Sequence, residues 1–287
     1  MFEIWVLINP IIKFLLYAAS FSASGTILYY WHFKTIMSSE TRLYCKQLIK
    51  KSSVSGVVAS IIFLFSIAGN LGGGVLSIFD TELLLTAIDI PPGKSAIFSF
   101  LGFTILYLSL SIRSFNHFFI KILSAGTILS SFIIVGHAAK SGPLSQMLIY
   151  IHLVCISYWV GSLLPLRNLC MSGSKDELFN TAEKFSKLAV LYISILLIAG
   201  ISFSYILLDE ISLLLTSTYG NLLLAKILFV AGLLAFGAFN KYRITPSILN
   251  DFQVSSKRLF SSINIEIILA CSIFFLTSLL TTSVVVP

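Results

Sequence analysis

Apolar residues recur in long runs along the whole chain, and short polar stretches separate them. A helix needs about 20 mainly apolar residues to cross the hydrocarbon core of a bilayer. Runs of that kind predict eight transmembrane helices, at residues 10–30, 54–79, 94–112, 118–137, 144–166, 187–208, 221–240 and 262–285. Their interiors hold Gly and Ser but few charges, as expected where every backbone group must be satisfied within its own helix. The expected fold is all-α, a polytopic membrane protein whose residues 1–287 form one bundle of eight transmembrane helices. No internal repeat or low-complexity tail interrupts the pattern.

Composition removes the main alternative. Of 287 residues, 57% are hydrophobic and 11% charged, with a mean hydropathy of +0.96. Soluble domains carry about 25% charged residues, so an ordinary water-soluble domain is excluded. A net charge of +7 raises the question of nucleic acid. The basic residues, however, sit in short connections between apolar runs, which suits membrane orientation better than a phosphate-binding face. No nucleic-acid partner is expected, and the lipid bilayer is the surrounding medium.

The connections divide sharply by charge. Lys34, Arg42, Lys46, Lys50 and Lys51 follow the first span, and Arg113 and Lys121 flank the turn after the third. Arg167, Lys175, Lys184 and Lys187 follow the fifth, and Lys241, Arg243, Lys257 and Arg258 the seventh. Only Lys94 and Lys140 fall on the opposite side, while Lys13 and Lys226 lie within spans. The positive-inside rule makes the basic side cytoplasmic, so both termini face outward, towards a periplasm. Met1 to Pro10 carries Glu3 and no basic n-region, which makes the first apolar run a retained span. Thr41 to Lys51 reads as a short basic amphipathic surface helix or, more simply, as a charged loop that fixes topology. In the Gly69–Gly74 run, close helix packing is the expected use of the small residues. Cys45, Cys155, Cys170 and Cys271 form no CxxC pair, and no disulfide is expected.

Ionisable and imidazole groups inside a membrane are candidate sites because they are costly to place there. His137 ends the fourth span and His152 lies about two turns into the fifth, which descends from the same side. A short connection makes those helices antiparallel neighbours, so both imidazoles belong to the outer leaflet. Met147 lies near the outer mouth of the fifth span, and helical spacing aligns Cys155 and Trp159 below His152. Imidazole and thioether suit copper, above all the soft cuprous ion. The expected metal residues are therefore His137, His152 and Met147. Cys155 and Trp159 are expected to pack the apolar interior. His32 and His117, at the cytoplasmic ends of the first and fourth spans, are expected to be solvated. Lys226 and Glu266 invite pairing between the last two spans, but their backbones differ in depth by roughly 15 Å, which argues against a direct bridge. Glu266 with Asn240 and Asn264 reads either as a polar exit site or as inter-helix anchoring near the inner interface. No HExxH, GxSxG, P-loop or kinase pattern occurs, so no catalytic residues are assigned.

At these residues the chain resembles the copper resistance protein D family (CopD/PcoD) of bacterial inner-membrane proteins. The matching pieces are Gly136-His137-Ala138, His152 with Trp159-Val160-Gly161, and Pro165-Leu166. They continue with Phe185-Ser186-Lys187-Leu188-Ala189, Gly200, Tyr219-Gly220 and Leu223-Leu224-Ala225-Lys226. Asn240, Arg243, Pro246, Glu266 and Leu276-Thr277 complete the order, which is strongest over residues 130–287. The resemblance implies copper homeostasis in the inner membrane, with copper moving from periplasm towards cytoplasm. It also implies a separate periplasmic copper-binding partner of the CopC type. Trp159, Lys226, Asn240 and Glu266 would mark pathway or structural polar positions. The alternative is a membrane oxidoreductase acting on copper, linked to haem b or a quinone, because buried histidines on a helical bundle are able to ligate haem iron.

Overall fold

The computed structural model describes residues 4–111, 117–135, 142–207 and 213–282, and no strand occurs among them. Its principal helices are α1 (Ile4–Phe33), α2 (Ser39–Gly72), α3 (Thr81–Asp89), α4 (Pro91–Ser109) and α5 (His117–Ser130). They continue as α6 (Pro143–Gly161), α7 (Leu163–Ser172), α8 (Lys175–Leu207), α9 (Thr218–Phe239) and α10 (Phe252–Thr282). A π-helical turn, Asn240–Ile244, extends α9 at its C-terminal end.

Six helices among the described residues are long and apolar enough to cross a membrane: Ile4–Phe33, Ser39–Gly72, Pro143–Ser172, Lys175–Ile206, Thr218–Ser247 and Phe252–Thr282. The expected count of eight is not reached by that measure. The spans expected at 94–112 and 118–137 correspond to α4 and α5. The former opens on Pro91, Pro92 and Lys94, which dilute its apolar character. The latter has 14 residues, a rise of only ~21 Å.

Three helices begin well before their expected spans, because hydropathy reports only the part of a helix that lies in lipid. The stretch Thr41 to Lys51 is the first part of α2, neither a loop nor a separate surface helix. In the same way α8 begins at Lys175 and α10 at Phe252. At the other side the helix expected to reach residue 79 stops at Gly72, where Gly73 takes a left-handed φ of 71°. A 3-10 turn at Leu76–Phe79 and the short helix α3 follow.

The first helix is the hub, packed against α2, α5, α6 and α10. Its fully buried side chains include Leu16, Ala23, Tyr29 and Phe33. In lipid, helices associate by close packing rather than by hydrophobic exclusion, and small residues allow it. The closest approach joins α1 to α6. A Cβ on Gly25 would lie 2.1 Å from the Ser157 carbonyl oxygen, and one on Gly161 would lie 2.2 Å from that of Phe21. Gly69 does similar work, since a Cβ there would lie 2.1 Å from the Trp5 ring. Interior serines satisfy their hydroxyls locally: Ser53 donates to the Ile49 carbonyl, Ser60 to Gly56 and Ser157 to Leu153. Such bonds to the preceding turn let polar residues sit in apolar surroundings.

At the end of the bundle where α2 and α8 begin, the long helices are clipped together by polar contacts. Glu177, in the first turn of α8, is 9% exposed. One of its carboxylate oxygens accepts from the Ser38 N–H and the Thr41 hydroxyl, each at 2.8 Å. Hydrogen bonds to a charged group contribute about 1.5–3 kcal/mol each. Glu177→Ala is therefore expected to lower stability by about 2–4 kcal/mol, because Ser38 and Thr41 lose a buried partner as well. A fall in the thermal midpoint of the detergent-solubilised protein checks this, with Glu183→Ala on the exposed face as the control.

Candidate copper-handling site

Along α6, His152 faces the seam with α8. Its Nδ1 lies 3.2 Å from the Leu196 carbonyl oxygen. A carbonyl only accepts, so this contact places the proton on Nδ1 and leaves Nε2 as the nitrogen with a free lone pair. Histidines that bind metals commonly donate their other nitrogen in this way, which fixes tautomer and ring orientation. The ring fits because the facing residue one turn after Leu196 is Gly200. A Cβ there would lie 3.0 Å from Cε1 and 3.1 Å from Nδ1.

Around His152 the interior is apolar. Cys155 and Trp159, each 3% exposed, pack with Leu196, Leu233 and Ile273. Met147 is placed elsewhere: it is 59% exposed, and five residues of helix turn it about 140° away from His152. The structure does not bring these two together. His137 lies outside the described residues, as does the side chain of His117. Among the described residues no group of three His, Cys, Asp or Glu side chains gathers around one point.

Lys226 is half-buried on α9. It makes no ion pair with Glu266; the salt bridge present among the described residues joins Lys187 to Glu183 at 2.8 Å. Glu266 is 2% exposed on α10. It accepts from the Asn240 amide at 2.5 Å, across the junction of α9 and the π-helical turn. Asn264 faces another way and accepts from Arg167 Nε at 2.6 Å, while the same guanidinium lies over the Phe260 ring. Glu266 and Asn240 border a cavity of about 240 Å³, whose opposite wall includes Trp159, Ser186 and Ser194.

At the end of α1, His32 is not simply solvated. Its Nε2 lies 3.0 Å from the Tyr192 hydroxyl, and the Tyr192 ring stacks on Tyr158 with centroids 4.0 Å apart. Lys184 donates to the His32 carbonyl at 2.6 Å. The partner Tyr192 sits far along the chain, and a local pattern gives no sign of it.

Two family models cover most of the chain. The one described as copper resistance protein D-like, N-terminal domain, matches residues 1–146. A second, described as copper resistance protein D, matches residues 179–280. The chain belongs to the copper resistance protein D family. It is thus a copper-resistance membrane protein, and the family's N-terminal domain accounts for the first half of the chain. No curated protein and no solved structure matches the chain.

Lys226, Asn240 and Glu266 fall inside the C-terminal match and His137 inside the N-terminal one. Met147, His152 and Trp159 lie between the two, so the reading of His152 as a metal ligand rests on its geometry. His152 and His32 each hold one ring nitrogen in a hydrogen bond, to the Leu196 carbonyl and the Tyr192 hydroxyl.

Proposed function

We propose that this family member moves copper inward across a bacterial inner membrane, with both termini periplasmic and α4 and α5 serving as two further crossing helices. One domain is the natural unit, because α1 packs against helices of both halves. His152 is the copper-accepting group of the outer leaflet, and His137, on the preceding connection, is its partner. Met147, exposed at the outer end of α6, is an approach ligand rather than a member of the His152 shell. Trp159 seals the floor of that site, and Lys226 bounds it from α9. A separate periplasmic protein of the CopC type would deliver the metal.

The observation that carries this reading is the His152 ring, locked by its Nδ1 onto a main-chain carbonyl inside a copper-resistance fold. A neutral imidazole with one nitrogen committed and the other basic suits a soft or borderline cation. The test is copper accumulation by proteoliposomes containing the full chain. Wild-type protein is expected to load the vesicles with copper, and His152→Ala and His137→Ala to bring accumulation to the level of empty vesicles. Undiminished accumulation in both variants overturns the site.

A further inference from the structure

The cavity beside Glu266 has chemistry that the copper site lacks. We infer that it binds a monovalent alkali cation, with the Glu266 carboxylate and the Asn240 amide oxygen as protein ligands. Asn240 spends its amide N–H on Glu266. Its Oδ1 is buried without a hydrogen-bond partner, an acceptor left over beside a carboxylate. Two adjacent oxygens of that kind in a low-dielectric interior need a positive charge or a donor.

Among the described residues no basic side chain forms an ion pair with Glu266. Arg167 on α7 is committed to Asn264 and Phe260. On α8, Lys175 donates to the Leu249 carbonyl, Lys184 to that of His32, and Lys187 pairs with Glu183. Lys241, which borders the cavity, is turned onto the Tyr242 ring, its Nζ 5.2 Å from the centroid. Arg243 on the π-helical turn and Lys257 and Arg258 on α10 likewise make no ion pair with Glu266.

Most of the remaining lining is apolar, and Ser186, Ser194 and Thr245 are hydroxyl-bearing residues within it. Ser186 donates its proton to the Ala182 carbonyl, which leaves its lone pairs available. Copper in its cuprous form prefers sulfur and imidazole. A divalent ion such as calcium takes 6–8 oxygen ligands, commonly several carboxylates, and one carboxylate balances one positive charge. About 240 Å³ holds an ion with part of its hydration shell, given ~30 Å³ per water. The π-helical turn that carries Asn240 is a further mark, since such turns cluster at functional positions in helices.

Sodium binding tests this without reference to copper. The full chain in lipid nanodiscs, freed of alkali ions in choline buffer, is titrated with radioactive sodium. A single saturable site is expected. Glu266→Gln should weaken it by roughly tenfold or more, Asn240→Ala should weaken it less, and Glu40→Gln, at an exposed position on α2, should leave it unchanged. Should Glu266→Gln fail to fold, Glu266→Asp, which keeps the charge, is expected to retain weakened binding. A wild-type protein that takes up no alkali ion would show instead that a neutral Glu266 carboxyl donates to Asn240, and that result overturns the inference. Binding that survives Glu266→Gln overturns it too. A His152→Ala protein that loses copper but still binds sodium separates this site from the copper reading.

Discussion

Gly161→Leu is expected to abolish the folded bundle. A Cβ at this position would lie 2.2 Å from the Phe21 carbonyl oxygen and 2.6 Å from the Gly25 Cα. Both are backbone atoms of α1, so no side-chain rotation relieves the clash. The two helices must separate, and α1 is the element around which α2, α5, α6 and α10 are arranged. An overpacked core with flexible neighbours costs about 1–3 kcal/mol; a contact that forces two backbones apart lies beyond that range. Gly161→Ala meets the same atoms and should be damaging as well. Gly232 on α9 supplies the contrast, because a Cβ there would lie 3.5 Å from Leu269 Cδ1, an ordinary contact. Gly232→Ala is expected to purify as a monodisperse protein with an unchanged thermal midpoint. Gly161→Leu should appear in the void volume or fail to accumulate. A monodisperse Gly161→Leu protein with wild-type stability would show that α1 and α6 do not cross at this point.

The contrast between these glycines shows what hydropathy can and cannot convey. The apolar runs revealed the helices because a bilayer demands continuous apolar stretches of a certain length. They missed the N-terminal extensions, since residues such as Asp176, Glu177 and Lys184 belong to α8 but lie beyond the apolar run that marked it. They overran the C-terminal end of α2, where Gly72, Gly73 and Gly74 are not polar enough to signal a stop. Which glycine meets which backbone depends on helix rotation, a property set by every interface at once. The sites divide in the same way. Asn240 and Glu266 stood out as polar groups in apolar helices, and the structure brings them to 2.5 Å. Asn264, two residues before Glu266 and therefore on another face, meets Arg167 instead. The bond that holds His152 was not legible, because its partner is the main-chain carbonyl of a leucine.

That bond makes Gly200 the position through which the copper reading is tested most finely. In Gly200→Ala the new methyl would lie 3.0 Å from Cε1 and 3.1 Å from Nδ1 of His152, tighter than side chains normally pack. The ring must give way, and the 3.2 Å contact with the Leu196 carbonyl is the first thing it loses. Without that acceptor the tautomer is no longer fixed and the orientation of Nε2 is lost. Outer-shell partners of metal-binding histidines are worth about 10–100-fold in metal affinity. A drop of that size in cuprous-ion affinity is expected for Gly200→Ala, although every proposed ligand is still present. The helix itself should be undisturbed, since alanine is the better helix former by about 1 kcal/mol. A competition titration with a cuprous chelator measures the affinity, and circular dichroism confirms the helix. The double variant Gly200→Ala/His152→Ala should bind no worse than His152→Ala, because the glycine acts only through the ring it seats. Independent losses that multiply in the double variant would mean that Gly200 serves copper by some route other than His152.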